Sequence, residues 1–187
     1  MDDNSKIEYF NMALARIGSQ LEITGDDDES NEYKMCERLY KQALREVYTI
    51  YPWRSCRKTT KLNRFSHCEH IRFKKAYQLP ADFLVLAEVA PTRIEYEVIN
   101  KVLYSNDDDI RIAYTAMVDV SNLTPALYNL AVLKLAMMII PSLAKGSFNI
   151  KDNMLQEFWQ IELNNAKSIE IRENLSRPRR AWWIECD

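Results

Sequence analysis

Apolar residues recur at helical intervals near both ends of the chain and alternate with polar residues in its middle third. Intervals of three and four place side chains on one face of a helix, whereas alternation places them on one face of a strand. The first segment has the helical pattern, with a Ser5-to-Glu8 capping box predicting its start and Gly18 predicting its end. Its apolar positions are Ile7, Phe10, Leu14, Ile17 and Leu21.

A second helical pattern begins near Ser30, after the acidic loop Gly25–Glu29. Pro52 predicts its end, because proline lacks a backbone donor and restricts the residue before it. One apolar stripe runs along this predicted helix: Tyr33, Cys36, Tyr40, Leu44 and Val47.

From about Arg57 the pattern changes to alternation, which predicts a set of antiparallel hairpins. Asn100-Lys101 and Asn106–Asp109 are predicted turns, and Phe83–Val89 is an apolar run of strand length. The alternating or nearly alternating positions are Ile71, Phe73 and Tyr77, then Ile94, Tyr96 and Val98, then Ile110, Ile112 and Tyr114.

Two further helices are predicted after the hairpins. The third begins at Thr124 as its cap, is apolar on most sides and should be the central buried helix, which Pro141 ends or kinks. Because this stretch contains an asparagine and a lysine, a core helix is favoured over a membrane span. The fourth is predicted over residues 152–174, with apolar positions at Leu155, Phe158, Trp159, Ala166 and Ile169.

The order of elements predicts an α+β fold, an antiparallel bundle of about four long helices with an inserted antiparallel β-domain. Residues 1–56 and 119–174 are assigned to the bundle, residues 57–118 to the β-domain and residues 175–187 to a C-terminal docking tail.

Composition excludes several classes of protein. The 187 residues carry 25 basic and 27 acidic side chains, a balance unlike that of a histone-like protein that coats DNA. Only three glycines are present, and neither a dinucleotide-binding loop nor a P-loop pattern occurs. Four widely spaced cysteines and an acidic N-terminal sequence without a secretory signal lead us to expect a cytosolic chain with reduced thiols.

The one metal-like cluster is His67-Cys68-Glu69-His70, with Cys56 as a fourth candidate ligand. Its spacing matches no common zinc framework, so we interpret it as an exposed hairpin tip and predict no metal site. The two aspartate runs, 26–28 and 107–109, lack the ligand spacing of a calcium loop. No nucleophile elbow accompanies the histidines, and no catalytic residue or cofactor is predicted.

Charge is segregated along the chain. Residues 22–37 hold seven acidic side chains and one basic, whereas residues 54–75 hold eight basic and one acidic. This asymmetry favours head-to-tail self-association or a basic strip beside nucleic acid, with two solvated faces as the plain alternative. The basic residues are Arg54, Arg57, Lys58, Lys61, Arg64, Arg72, Lys74 and Lys75.

The C-terminal tail is a candidate for docking onto another protein, because arginine and tryptophan are enriched at interface hot spots. Packing of the tail back onto its own domain is the alternative. The residues concerned are Arg177, Arg179, Arg180, Trp182 and Trp183.

Several segments, taken in order, resemble the tail tubular protein A family of short-tailed phages, the head-to-tail adaptor or gatekeeper proteins. The similarity covers the chain from about Tyr9 to Trp183, and the ordered set is more specific than any one motif. The segments are Asn11–Gly18, Cys36–Val47, Pro52-Trp53, Tyr77–Asp82, Leu103–Asn106, Ile112–Tyr114 and Pro125–Ala136.

The resemblance implies a non-enzymatic virion protein that is assembled in the host cytoplasm. Its partners are expected to be copies of itself in a ring, usually a dodecamer, together with the portal protein and the tail nozzle protein. Genome double-stranded DNA is expected to pass through the ring with transient, sequence-independent contact, and no membrane is involved. The alternatives from the residues alone are a small nucleic-acid-binding module using residues 54–75 and a metal-dependent enzyme built on His67, Cys68 and His70.

Overall fold

A computed structural model of the chain describes residues 3–143 and 148–175. Two α-helices precede the strands and two follow them, which confirms the predicted α+β fold class. The helices are α1 (Asp3–Arg16), α2 (Asn31–Ile50), α3 (Pro125–Leu143) and α4 (Phe148–Leu175). The strands are β1 (Arg57–Lys61), β2 (Asn63–Arg64), β3 (Lys75–Gln78), β4 (Phe83–Ala90), β5 (Tyr96–Ile99), β6 (Val102–Ser105) and β7 (Arg111–Ala116).

The chain divides into two compact units. The helical unit holds the described residues up to Ala43 and from Leu123 onward, and the strand unit spans Leu44–Asn122. The last turns of α2 belong to the strand unit because they bond to it. Trp53 Nε1 donates to the Val47 carbonyl oxygen at 2.8 Å, and Tyr48 Oη donates to that of Val118 at 3.2 Å.

The first helix ends as predicted but begins earlier. Gly18 has a φ of 75°, and the Ser19 N–H donates to the Leu14 carbonyl at 3.1 Å, which together form a glycine C-cap. The predicted capping box is wrong, because α1 already begins at Asp3 and Ser5 lies inside it. Leu21 lies beyond the helix and is 39% exposed.

The start and the end of α2 are confirmed. The Ser30 hydroxyl accepts a hydrogen bond from the Tyr33 N–H at 3.1 Å, which is N-cap geometry, and the helix ends at Ile50, before Pro52. Along the predicted stripe, Tyr33 is half-buried and the other four side chains are buried.

In the helical unit α3 is the central buried helix, as predicted, and it contacts both α1 and α4. It is long and apolar enough to cross a membrane by length and composition alone, a test that core helices also pass. Pro141 does not end it, since α3 continues to Leu143. Its buried side chains are Leu127, Leu130, Ala131, Val132, Leu133, Leu135, Ala136, Ile139 and Ile140.

Aromatic side chains of α1 complete this core. Tyr9 is fully buried and its Oη donates to the Ala131 carbonyl oxygen at 3.0 Å. The Phe10 ring packs edge-on against Tyr33 and Tyr40, with centroid separations of 6.0 and 5.6 Å. These contacts fix α1 against α3 and against the first part of α2.

The strand unit contains two antiparallel sheets. One has the strand order β1-β7-β4 and the other β2-β3-β6-β5, so β1 pairs with a strand fifty residues further along the chain. Both sheets contribute to one apolar cluster. Its buried members are Leu62, Tyr77, Leu79, Leu103, Ile110, Ile112, Tyr114 and Ala116.

The hairpin predictions hold in part. The turn at Asn100-Lys101 is confirmed, since both residues have positive φ, 49° and 62°, as a type I′ turn between β5 and β6 requires. Ile71 was wrongly assigned to an alternating strand, because it lies in a loop and is fully exposed. Tyr96 and Val98 alternate on β5 but stay 44% and 39% exposed, because β5 is an edge strand.

Candidate interaction surfaces

The predicted docking residues and the predicted basic strip differ in what the structure describes. The docking residues lie outside the described residues; they are Arg177, Arg179, Arg180, Trp182 and Trp183. All eight residues of the basic strip lie in the strand unit, on β1, on β2, at the start of β3 and in the adjoining segments.

Most of the basic strip is paired with carboxylates of the same unit. At least six of the eight cations lie within 4 Å of an acidic oxygen, so the strip presents much less positive charge than its sequence indicates. The pairs are Arg57–Glu88 (3.1 Å), Lys58–Asp82 (2.6 Å), Lys61–Asp109 (2.5 Å), Arg64–Asp108 (3.8 Å), Arg72–Glu95 (3.0 Å) and Lys75–Asp108 (2.7 Å).

Asp82 is bonded to side chains of two different strands. Lys58 Nζ donates to Asp82 Oδ2 at 2.6 Å, and the Tyr114 hydroxyl donates to Asp82 Oδ1 at 3.0 Å. The hydrogen bond from Lys58 is the main cause that lowers the pKa of Asp82. Burial, together with the hydrogen bond to Asp82, raises the pKa of Tyr114 to about 12. Asp82 therefore ties β1 and β7 to the turn before β4.

A cation of α1, Lys6, contacts two carboxylates of the acidic stretch. Its Nζ lies 2.8 Å from Glu37 Oε2 and 3.1 Å from Asp26 Oδ1, and only 11% of its side chain is exposed. Three aromatic rings surround the ammonium group, with Tyr33 closest at 5.6 Å to the ring centroid. Burial lowers the pKa of Lys6, but its hydrogen bonds to Glu37, Asp26 and Tyr33 outweigh burial and raise it.

The histidine cluster is organised around a turn. His70 Nδ1 accepts hydrogen bonds from the N–H groups of Arg72 and Phe73, at 3.1 and 3.2 Å. That assigns the proton to Nε2, which lies 3.5 Å from Glu97 Oε2. The His70 ring also stacks on Tyr104 at 4.6 Å, so this histidine holds its loop against the sheet. Within residues 3–143 and 148–175 no three ligand-type side chains converge on a metal position.

The outer side of α4 carries apolar side chains that the helical unit leaves exposed. Buried residues of α4 recur at intervals of three and four and include Leu155, Trp159 and Ala166. A second series runs alongside at intervals of four, three and eight and is 42–60% exposed. We call this series the outer stripe; its members are Met154, Phe158, Ile161 and Ile169.

Two acidic residues border the outer stripe. Glu157 lies three residues after Met154 and four before Ile161, and Glu162 lies four after Phe158. Residues three and four apart are neighbours on a helix surface, so one carboxylate stands on each side of the apolar series. The apolar series on this face of α4 therefore has carboxylates beside it, is interrupted by Asn165 and is followed by Arg172.

A groove of about 730 Å³ lies between α1 and the segment that follows it. Its apolar lining includes Ile7, Met12 and Leu21, and the carboxylates of Glu8 and Glu22 also line it. Asn11 fastens this segment to α1, because its side-chain amide donates to and accepts from the backbone of Ile23 at 2.9 and 2.8 Å.

Neither the comparison with models of known protein families nor the comparison with curated proteins finds a match for this chain.

Reasoning from the sequence missed the outer stripe and the role of Lys6. The signal for the stripe was present, because α4 carries apolar residues at two sets of helical intervals and one helix face cannot bury both. The signal for Lys6 was absent, since nothing local links it to Asp26 and Glu37, twenty and thirty-one residues away.

Proposed function

We propose that this chain is a structural head-to-tail adaptor of the kind found in short-tailed phages, a subunit that assembles into a ring between portal and tail. The observation that carries the proposal is the order of its elements: two helices, an insert of two antiparallel sheets, then two helices. This is the architecture that the resemblance implies.

The residues that carry the resemblance occupy structural positions in this architecture. Gly18 caps α1, Asn11 clamps the following segment, and Trp53 is buried with its indole bonded to α2. Asp82, at the end of the Tyr77–Asp82 segment, links three parts of the strand unit. These four residues, which belong to the segments of the resemblance, therefore stabilise the fold.

Charges of opposite sign are segregated between the two units in the sequence. The acidic stretch belongs to the helical unit and the basic strip to the strand unit, so each copy carries both signs on different units. A ring requires a heterologous interface, in which one surface of a subunit meets a different surface of the next. At least six of the eight basic side chains already pair with carboxylates of their own unit, so apolar and polar contacts must provide most of the selectivity of this interface.

The first test is the mass of the purified chain by light scattering, with negative-stain images of the same sample. A ring of twelve 22.0 kDa subunits has a mass of about 260 kDa and a visible central channel. If the free chain is a monomer, binding to a portal protein encoded in the same genome becomes the deciding measurement. A chain that neither forms rings nor binds the portal contradicts the proposal.

Removal of residues 176–187 tests the docking tail. The truncated chain should keep its thermal unfolding transition and lose binding to the portal or to neighbouring subunits. Normal assembly of the truncated chain would show that the tail has no docking role.

A nucleic-acid-binding module is the second candidate, and the clustering of eight basic residues in the strand unit favours it. It ranks second because at least six of them already contact carboxylates. This candidate predicts micromolar affinity for duplex DNA that falls steeply with salt, and absence of binding at low salt would remove it.

A further inference from the structure

We propose that the turn formed by residues 70–74 of one copy docks into the groove beside α1 of a neighbouring copy. The inference rests on the proposed ring assembly and names a contact that joins one subunit to the next. The turn belongs to the strand unit, and every residue that lines the groove belongs to the helical unit. Each copy therefore carries both halves of the contact, as a heterologous interface requires.

The turn projects one apolar side chain into solvent. Ile71 is fully exposed, more so than any other large apolar side chain that the structure describes. The backbone around it is fixed, because His70 Nδ1 accepts the N–H groups of Arg72 and Phe73 and the Phe73 side chain is buried. A partner that covers Ile71 therefore gains apolar burial without first having to order the turn.

The same turn carries a cation that the strand unit leaves unpaired. Lys74 is exposed, and it forms no ion pair with any residue in 3–143 or 148–175, unlike at least six others of the basic strip. Its backbone is fixed as well, since the Lys74 N–H donates to Asn106 Oδ1 at 3.0 Å. The turn therefore presents an isoleucine and an available ammonium group three residues apart.

The groove beside α1 has the complementary chemistry. Met12 and Leu21 line it and are 38% and 39% exposed. Glu8 of α1 and Glu22 of the following segment also line it, and neither carboxylate is ion-paired within the part of the chain that the structure describes. Uncharged polar side chains line it too: Asn4, Asn11, Ser19, Gln20 and Thr24. Such a mixed lining matches a turn with one apolar side chain and one cation.

The shape of the groove favours it over the outer stripe of α4 as the place where Ile71 docks. The stripe lies on the convex surface of a helix, whereas a side chain that projects from a turn is covered best in a concave site. No described residue of the same chain covers Ile71. A second copy supplies the groove in the assembly that we propose.

The test mixes two full-length chains, each defective in one half of the contact. The turn-blocked chain carries Ile71→Ser and Lys74→Glu, and the groove-blocked chain carries Met12→Lys. Each chain alone should stay monomeric, because it lacks one half. The mixture should form a dimer of about 44 kDa, twice the 22.0 kDa of one chain, in which the intact turn enters the intact groove. Sedimentation velocity at up to about 100 μM of each chain measures it.

Further substitutions locate the contact within this mixture. Adding Ile71→Ser to the groove-blocked chain should weaken the dimer about tenfold or more. The matched control is Ile171→Ser in the same chain, because Ile171 is 51% exposed on α4, and it should change affinity less than about twofold.

Charge reversal gives a second measurement. Lys74→Glu in the groove-blocked chain should weaken the dimer about threefold to tenfold, and Glu22→Lys in the turn-blocked chain should restore it. Lys101→Glu, at another exposed lysine of the strand unit, is the control and should have little effect.

Three results would overturn the inference. The first is a mixture without a dimer, which is also expected if each turn occupies the groove of its own chain. The second is a dimer that persists when both chains carry Met12→Lys, or that is lost with Ile161→Ser on the outer stripe instead. The third is an equal loss with Ile71→Ser and Ile171→Ser.

Ring formation separates this inference from the proposed function. If the unaltered chain forms rings and the mixture forms no dimer, the docking contact is wrong and the adaptor proposal stands. If the mixture forms the dimer while the unaltered chain forms no ring and binds no portal, the docking contact stands and the adaptor proposal fails.

Discussion

The acidic stretch of the helical unit and the basic strip of the strand unit have similar charge densities in the sequence but are organised differently. In the helical unit one nearly buried lysine, Lys6, forms ion pairs with Asp26 and Glu37, and three aromatic rings surround its ammonium group. In the strand unit at least six cations, four of them more than half exposed, pair with carboxylates on neighbouring strands and turns, and Asp108 contacts two of them. The ion pairs of the helical unit therefore meet at one atom, Lys6 Nζ, whereas those of the strand unit are spread over at least six cations.

A run of like charges in a sequence therefore does not by itself produce a charged surface, because its side chains can pair with opposite charges elsewhere in the fold. Pairs that are open to solvent contribute little to stability, whereas a cation removed from water depends on every partner it has. Removing a charge at Lys6 should therefore lower the free energy of unfolding more than removing an exposed charge of the strand unit.

Lys6→Met should have the largest effect. It leaves the buried Glu37 Oε2 without its cation, and we expect the free energy of unfolding to fall by about 1–2 kcal/mol, less than for a fully buried pair because both carboxylates partly reach water. Chemical denaturation measures the change. Lys34→Met, an exposed lysine in the same acidic stretch, is the control and should stay within about 0.5 kcal/mol. Equal losses in the two variants would contradict the special position of Lys6.

Asp82→Asn should have an intermediate, pH-dependent effect. Because the pKa of Asp82 is lowered in the folded chain, chiefly by Lys58, its carboxylate stabilises the fold above the unfolded-state pKa and loses this contribution as the pH falls. We expect a loss of about 1 kcal/mol at pH 7, which shrinks as the pH falls from about 5 toward 2. Stability measured against pH tests this, and a loss that stays constant across that range would contradict it.

Asp108→Asn combined with Asp109→Asn should have the smallest effect on stability, within about 0.5 kcal/mol, because both carboxylates are exposed. The substitutions release Lys61, Arg64 and Lys75 from their partners. If the basic strip faces duplex DNA, affinity at low salt should rise about threefold to tenfold, and the increase should disappear at high salt. Fluorescence anisotropy measures it. Unchanged affinity at low salt would mean that these three cations do not meet DNA.

Local signals predicted much of the fold. The start of α2 near Ser30, the glycine at the end of α1 and the Asn100-Lys101 turn depend only on neighbouring residues, and each is found where the sequence placed it. The position of Ile71 was missed because alternation in an exposed loop cannot be distinguished from alternation in a strand. The outer stripe was missed because apolar spacing marks a helix without stating which of its faces is covered.

The amino-acid sequence alone predicts the kinds of element and their order, since the period of apolar residues and the caps and turns act over a few residues. It also determined the central role of α3, which is apolar on nearly every side. Three further features are visible only in the folded chain: β1 pairs with β7, Lys6 contacts two distant carboxylates, and α4 buries Trp159 and leaves Phe158 exposed. These outcomes depend on contacts between residues far apart in the chain, and no local pattern specifies such contacts.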